Sequence, residues 1–139
     1  MPSLLAALEP PTNLAGAAVV LFALLIGHAI ADFALQGDFL SSAKNRHAQL
    51  KSFFGDEGTP KGLWIHALGA HSMIHAGAVW LITGSVVLGF IEFVLHWFID
   101  FAKCEGWTSF RTDQTLHILC KIAWAGLLWC ECPWAMWSP

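Results

Sequence analysis

Four apolar runs in this chain each carry a pair of ionisable or imidazole residues four positions apart: His28/Asp32, His71/His75, His96/Asp100 and Asp113/His117. A spacing of four puts both side chains of a pair on one face of a helix. A carboxylate at membrane depth costs roughly 2.5–3.5 kcal/mol even on the lenient insertion scale, so residues of this kind face one another, a cavity or an ion. Four such pairs on four segments predict helices packed around one shared polar interior.

Composition names the solvent. Of 139 residues, 56% are hydrophobic and only 12% charged, about half the charged fraction of soluble domains, and the mean hydropathy is +0.58. The length suits a single domain, 1–139. A net charge of -3 without a basic cluster excludes nucleic acid as a partner. Tyrosine is absent, whereas Trp64, Trp80, Trp107, Trp129, Trp134 and Trp137 stand at or beyond the ends of apolar runs, as an interfacial belt requires. Cys104 and Cys120 stand singly and Cys130 and Cys132 are one residue apart, which is neither a disulfide framework nor a zinc ribbon. The N-terminal segment lacks a basic n-region and carries Glu9, so it reads as a retained membrane helix rather than a signal peptide.

The expected fold is all-α: a four-span transmembrane helical bundle with spans at about 13–36, 63–82, 84–103 and 113–132. Thr12-Asn13 caps the first span after Pro10-Pro11, and Thr83-Gly84-Ser85 turns tightly between the second and third. The polar stretch 37–60 is a cytoplasmic loop, and Phe39, Leu40, Ala43, His47 and Leu50 in its first half predict a short amphipathic interfacial helix. Lys44, Arg46, Lys51 and Lys61 lie between spans one and two, and Lys103 and Arg111 flank the loop between three and four. The positive-inside rule then puts both termini outside the cytoplasm. On that orientation all four polar pairs fall in the cytoplasmic leaflet, a coincidence of depth that the apolar pattern did not demand.

On each span the polar residues also share a stripe: 28/32/36, 71/75, 92/96/100/103 and 113/117/121, with His66 diverging from its own. Imidazole with carboxylate suits a divalent metal, zinc foremost with iron or manganese next, and the lack of positioned thiolates argues against copper(I) and iron–sulfur clusters. The candidate ligands are His28, Asp32, His71, His75, His96, Asp100, Asp113 and His117, with Asp32, Asp100 and Asp113 doubling as candidate catalytic carboxylates. One ion would leave some carboxylates behind the ligands, whereas two would need nearly all of them. An open coordination position would supply a water nucleophile near neutral pH. Gln36 and Gln114 read as hydrogen-bonding support, Lys103 and Arg111 as interfacial anchors, Lys121 as a snorkelling side chain or a carboxylate's counter-charge, and His47 as solvated. Glu92, deeper than His96, reads either as a proton acceptor or as an interhelical contact. A metal-free polar or proton-relay cluster and a haem site are the competing readings. A lone helical histidine is more commonly a hydrogen-bonded core residue, and a carboxylate beside three of the histidines weighs against haem.

The strings His28-x-x-x-Asp32-Phe33-x-x-Gln36, His71-x-x-x-His75, His96-x-x-Ile99-Asp100-x-x-Lys103 and Asp113-Gln114-x-Leu116-His117 resemble a family of small bacterial and phage integral membrane proteins known as a domain of unknown function, family 3307. The likeness runs from about Leu21 to Lys121 and implies a short multi-span bundle in a prokaryotic inner membrane, without an activity. A weaker likeness, on the helical His/Asp pairs alone, is to membrane-bound metal-dependent hydrolases. The expected function is therefore an intramembrane metal site of hydrolase type near the cytoplasmic face, acting on a lipid or other membrane-resident substrate. The alternative is a haem-binding or accessory subunit of a larger membrane complex. Membrane lipids and a second copy are the expected partners, with Gly69, Gly77, Gly84 and Gly89 permitting close helix approach.

Overall fold

Asn13 opens the first helix as its spacing predicts: its backbone is extended and its Oδ1 accepts the Gly16 amide at 2.8 Å. A computed structural model describes residues 10–136, so the N-terminal tail through Glu9 and the tryptophan at 137 lie outside the described residues. Helix α1 (Leu14–Ala29) runs directly into a π-helical turn (Ile30–Ala34). The chain then forms α2 (Gly37–Ala43), α3 (Lys51–Phe54) with a 3-10 turn (Gly55–Glu57), α4 (Leu63–Thr83), α5 (Val86–Cys104) and α6 (Phe110–Trp129). Among the described residues there is no strand.

The four long helices form a ring in which α1 lies beside α4 and α6, and α5 beside the same two. The α4–α5 hairpin turns as expected: Gly84 takes a left-handed φ of 70° and returns its amide to the Trp80 carbonyl at 2.8 Å, after which the Ser85 hydroxyl caps Leu88. Helix α6 begins three residues before the expected start, because the Ser109 side chain caps it by accepting the Thr112 amide. The segment expected to be a loop with one short helix holds two, and it packs inward: Ala43 and Leu50 are buried against Ala67, with Leu40, Ala48, Phe54 and Leu63 around them. This connector closes one end of the bundle. The other end is apolar, with Val20, Leu24, Val79, Leu88, Trp124, Ala125 and Leu128 in one cluster.

Between those ends the packing is inverted relative to a soluble domain. Helix α5 buries Glu92, His96 and Asp100 while Phe90 and Phe98 are more than 60% exposed. Helix α6 buries Asp113, His117 and Lys121 and exposes Ile118, Leu119 and Ile122. Two helical stretches, Leu14–Ala34 and Leu63–Thr83, are long and apolar enough to cross a membrane by length and composition. The expected count of four is thus not met on that criterion, since α5 carries Glu92, Asp100 and Lys103, and α6 carries Arg111, Asp113 and Lys121. Three of the four glycines expected to permit close helix approach make no helix–helix contact among the described residues. Gly84 serves the turn, and Gly69 and Gly77 have nothing within 4 Å of where a Cβ would sit.

Candidate metal centre

The ring brings all eight sequence-selected side chains into one buried cluster, toward the connector end of the helices. Each is at most 9% exposed. From the end of α1, His28 Nε2 lies 3.2 Å from Gln114 Oε1, and the Gln114 amide donates to Asp32 Oδ2 at 2.7 Å. Asp32 itself sits in the π turn, where the widened helix closes through Leu35 N to Ile30 O at 2.9 Å. Such turns inside α-helices recur at functional sites. Its Oδ1 lies 3.4 Å from His71 Nε2 and 3.7 Å from His75 Nε2, both on α4. From α5, Asp100 approaches His71 Nε2 at 3.3 Å and accepts from His117 Nε2 at 3.2 Å. Asp113 Oδ1 lies 3.6 Å from the same His117 nitrogen. The imidazoles of His75, His96 and His117 stack in sequence, with centroids 3.7 and 4.1 Å apart.

Two subsets offer metal-ligand atoms within 4.8 Å of one another: Asp32, His71, His75 and His96, and His96, Asp100 and His117. Ligands held at 2.0–2.1 Å by tetrahedral zinc stand about 3.4 Å apart, so the first subset needs side-chain shifts of no more than about an ångström. Buried polar nitrogens are normally paired. Here His71 Nε2, His75 Nε2 and His96 Nε2 are buried without a hydrogen-bond partner. Three orphaned nitrogens beside a carboxylate fit a cation better than they fit one another.

Glu92 decides which nitrogen His96 offers. The Lys121 ammonium donates to Glu92 Oε1 at 2.5 Å and the Trp124 indole to Oε2 at 2.7 Å. His96 Nδ1 faces the same Oε1 at 3.3 Å. A carboxylate already receiving two donors can only accept from a third, so His96 carries its proton on Nδ1 and turns the Nε2 lone pair to the centre. Carboxylate–imidazole pairs commonly orient metal-binding histidines in this way. Of the two roles open to Glu92 in the sequence, the geometry gives interhelical contact, and it makes Lys121 the counter-charge.

The connector supplies what the sequence reading missed. Lys44, grouped there with the cytoplasmic loop, is buried and donates to Asp100 Oδ2 at 2.5 Å and Gln36 Oε1 at 2.6 Å. The signal was present, because Gln36, Leu40 and Lys44 repeat at four and share the inner face of α2. Lys103 is an ion-pair partner of Asp113 at 3.1 Å rather than a simple anchor. His66 diverges to the surface as expected. His47, expected to be solvated, is exposed yet reaches Glu105 Oε1 at 3.2 Å beside Arg46, which meets Oε2 at 2.6 Å. The Arg46 hydrogen bond holds the Glu105 carboxyl below its ordinary value.

A search of curated proteins and one of solved structures returned no match. The family described as "Protein of unknown function (DUF3307)" matches residues 20–138, nearly the whole chain, and the protein belongs to it.

Proposed function

We propose that this protein is a four-span prokaryotic inner-membrane protein whose His/Asp cluster holds a divalent metal ion, zinc foremost, and hydrolyses a lipid or other membrane-resident substrate. One observation carries the reading: three buried imidazole nitrogens without partners converge on the Asp32 carboxylate. Buried polar groups are otherwise satisfied because leaving them unpaired is expensive. Direct stacking of the imidazoles at 3.7 and 4.1 Å favours one small ion over a macrocycle.

Membrane residence is supported by the inverted packing of α5 and α6, whose exposed faces are apolar and whose charges point inward and pair. With lipid around them, all four long helices would span despite the charges that α5 and α6 carry. The basic residues of the connector and of the α5–α6 loop would face the cytoplasm and both termini the opposite side. The cluster then lies toward the cytoplasmic face, behind the connector.

A bound ion would polarise a scissile carbonyl or phosphoryl group and activate water. Asp32, His71, His75 and His96 would hold it. His117, donating from Nε2 to Asp100, leaves Nδ1 buried without a partner and available to take or give a proton. Asp100 and Asp113 both face that imidazole at Nε2, at 3.2 and 3.6 Å. Metal analysis of the purified wild type beside His96→Ala and His28→Ala tests the centre. The expected result is stoichiometric metal in wild type and its loss in His96→Ala, and a wild type without metal ends the proposal. A fluorogenic lipid panel in mixed micelles tests the chemistry, with His117→Gln expected to abolish turnover while metal remains bound.

A further inference from the structure

The cluster buries four carboxylates, those of Asp32, Glu92, Asp100 and Asp113, and three of them are matched one to one with lysines. Lys121 pairs with Glu92 at 2.5 Å, Lys44 with Asp100 at 2.5 Å and Lys103 with Asp113 at 3.1 Å. Asp32 has no lysine. It has the Gln114 amide and the imidazoles of His28, His71 and His75. A carboxylate removed from water without a counter-charge is strongly disfavoured, so the pairing pattern singles out Asp32 as the place that calls for a cation.

We infer that the cluster takes a single divalent ion, on Asp32, His71, His75 and His96, and that the Lys44 ammonium on Asp100 Oδ2 supplies the positive charge a second ion would bring to that carboxylate. This rests on the metal-centre reading above and adds why the Asp100 subset takes no second ion. Three features carry it. The orphaned Nε2 atoms of His71, His75 and His96 all belong to the Asp32 subset, whereas in the Asp100 subset His117 Nε2 is engaged and its free nitrogen is Nδ1. In the Asp100 subset both carboxylate oxygens are already engaged, Oδ2 by Lys44 and Oδ1 by His117 Nε2. His96 belongs to both subsets but has one nitrogen to give, because Nδ1 faces Glu92. An imidazole nitrogen has one lone pair, so the two subsets cannot both be complete.

Charge points the same way. With the imidazoles neutral and the three lysines in place, one divalent ion nearly balances the four carboxylates, and a second would leave a large uncompensated positive charge in a buried volume. Lys44 is also held for its role rather than merely reaching it. It follows directly on buried Ala43, in a connector packed on the start of α4, and Gln36 takes a second of its protons. Two-metal sites place their ions about 3.5–4 Å apart, and here the residue the two subsets share is His96, whose single free nitrogen can serve one ion.

Zinc titration of the metal-stripped protein in detergent, read by elemental analysis after desalting, tests this directly. One ion per chain is expected for wild type, for Asp100→Asn and for Lys44→Met, because His96 can complete only one subset, and none for Asp32→Asn. His71→Gln removes a ligand from the same centre without changing charge, so loss of the ion there supports the assignment even where Asp32→Asn fails to fold. Two ions per chain in wild type overturn the inference, as do two in Lys44→Met, or an ion retained in Asp32→Asn but lost in Asp100→Asn. In those three cases the metal centre itself stands. A wild type that takes no ion at all overturns the centre along with it.

Discussion

Glu92 is where single residues have the largest leverage, because one carboxylate receives an ammonium, an indole and an imidazole at once. Removing one member of a buried ion pair leaves an uncompensated charge and typically costs about 3–5 kcal/mol, whereas removing both can be nearly neutral. Lys121→Met should therefore destabilise by that amount in denaturant unfolding in micelles, and adding Glu92→Gln should restore much of it. Equal stability of the single and double variants would show that the pair is not coupled. Glu92→Gln alone has a separate consequence. Its amide can donate to His96 Nδ1, which moves the ring proton to Nε2 and blocks the ligand lone pair, so zinc affinity should fall by about 10–100-fold. Competition with a chromophoric chelator measures this, and unchanged affinity would remove Glu92 from the centre.

Among elements, the α4–α5 hairpin sets the spacing of the histidine stack. A Cβ on Gly89 would meet Trp80 Cβ at 3.0 Å and the Ala76 carbonyl at 3.1 Å, and both belong to the facing helix rather than to a flexible tip. Gly89→Ala should cost about 1–3 kcal/mol by overpacking. Gly77→Ala has open space and should be neutral or gain up to about 1 kcal/mol from helix propensity. Thermal melts in detergent compare the two, and equal melting temperatures would mean that the hairpin is not closely packed at Gly89. The connector has a pH-dependent latch of its own. Glu105, held below its ordinary 4.5 by Arg46, fastens the connector to the end of α5. A folded value below the unfolded one means that this contribution is present above 4.5 and is lost as pH falls through the lowered value. Glu105→Gln should reproduce the acid effect at neutral pH as faster amide exchange through Asn45–Leu50, and unaltered exchange would dismiss the latch.

For the whole molecule, the two sides of the proposed membrane can be told apart chemically. Cys130 is exposed beyond α6 and lies at the end opposite the connector. In intact cells it should react with a membrane-impermeant maleimide, while a cysteine introduced at Gln49 in a Cys-free background should react only after lysis. The reverse pattern would invert the orientation. Metal removal should lower the melting temperature of the entire bundle, because an ion bound at a hundred times its Kd stabilises by about 2.7 kcal/mol. The proposed ligands come from α4, α5 and the turn after α1, so the loss should be cooperative rather than local.

Much of this was legible without coordinates. Spacing of four placed each polar pair on one helical face, and the common depth of the pairs foretold that they would meet, because mostly apolar helices with a few ionisable residues have one face to turn toward one another. The cap at Asn13 and the turn at Gly84 are local chemistry, and local chemistry is written in a few adjacent residues. What the sequence could not express was which charge answers which. Lys44 lies 56 positions from Asp100, Lys121 29 from Glu92 and Gln114 82 from Asp32. Lys44 looked like a surface residue until the connector folded back over the bundle. The sequence by itself determined an all-α chain with one polar interior. Only tertiary structure decided that three lysines neutralise three of its carboxylates and leave Asp32 with the imidazoles, since ion pairing depends on distance in space and no periodicity along the chain encodes it.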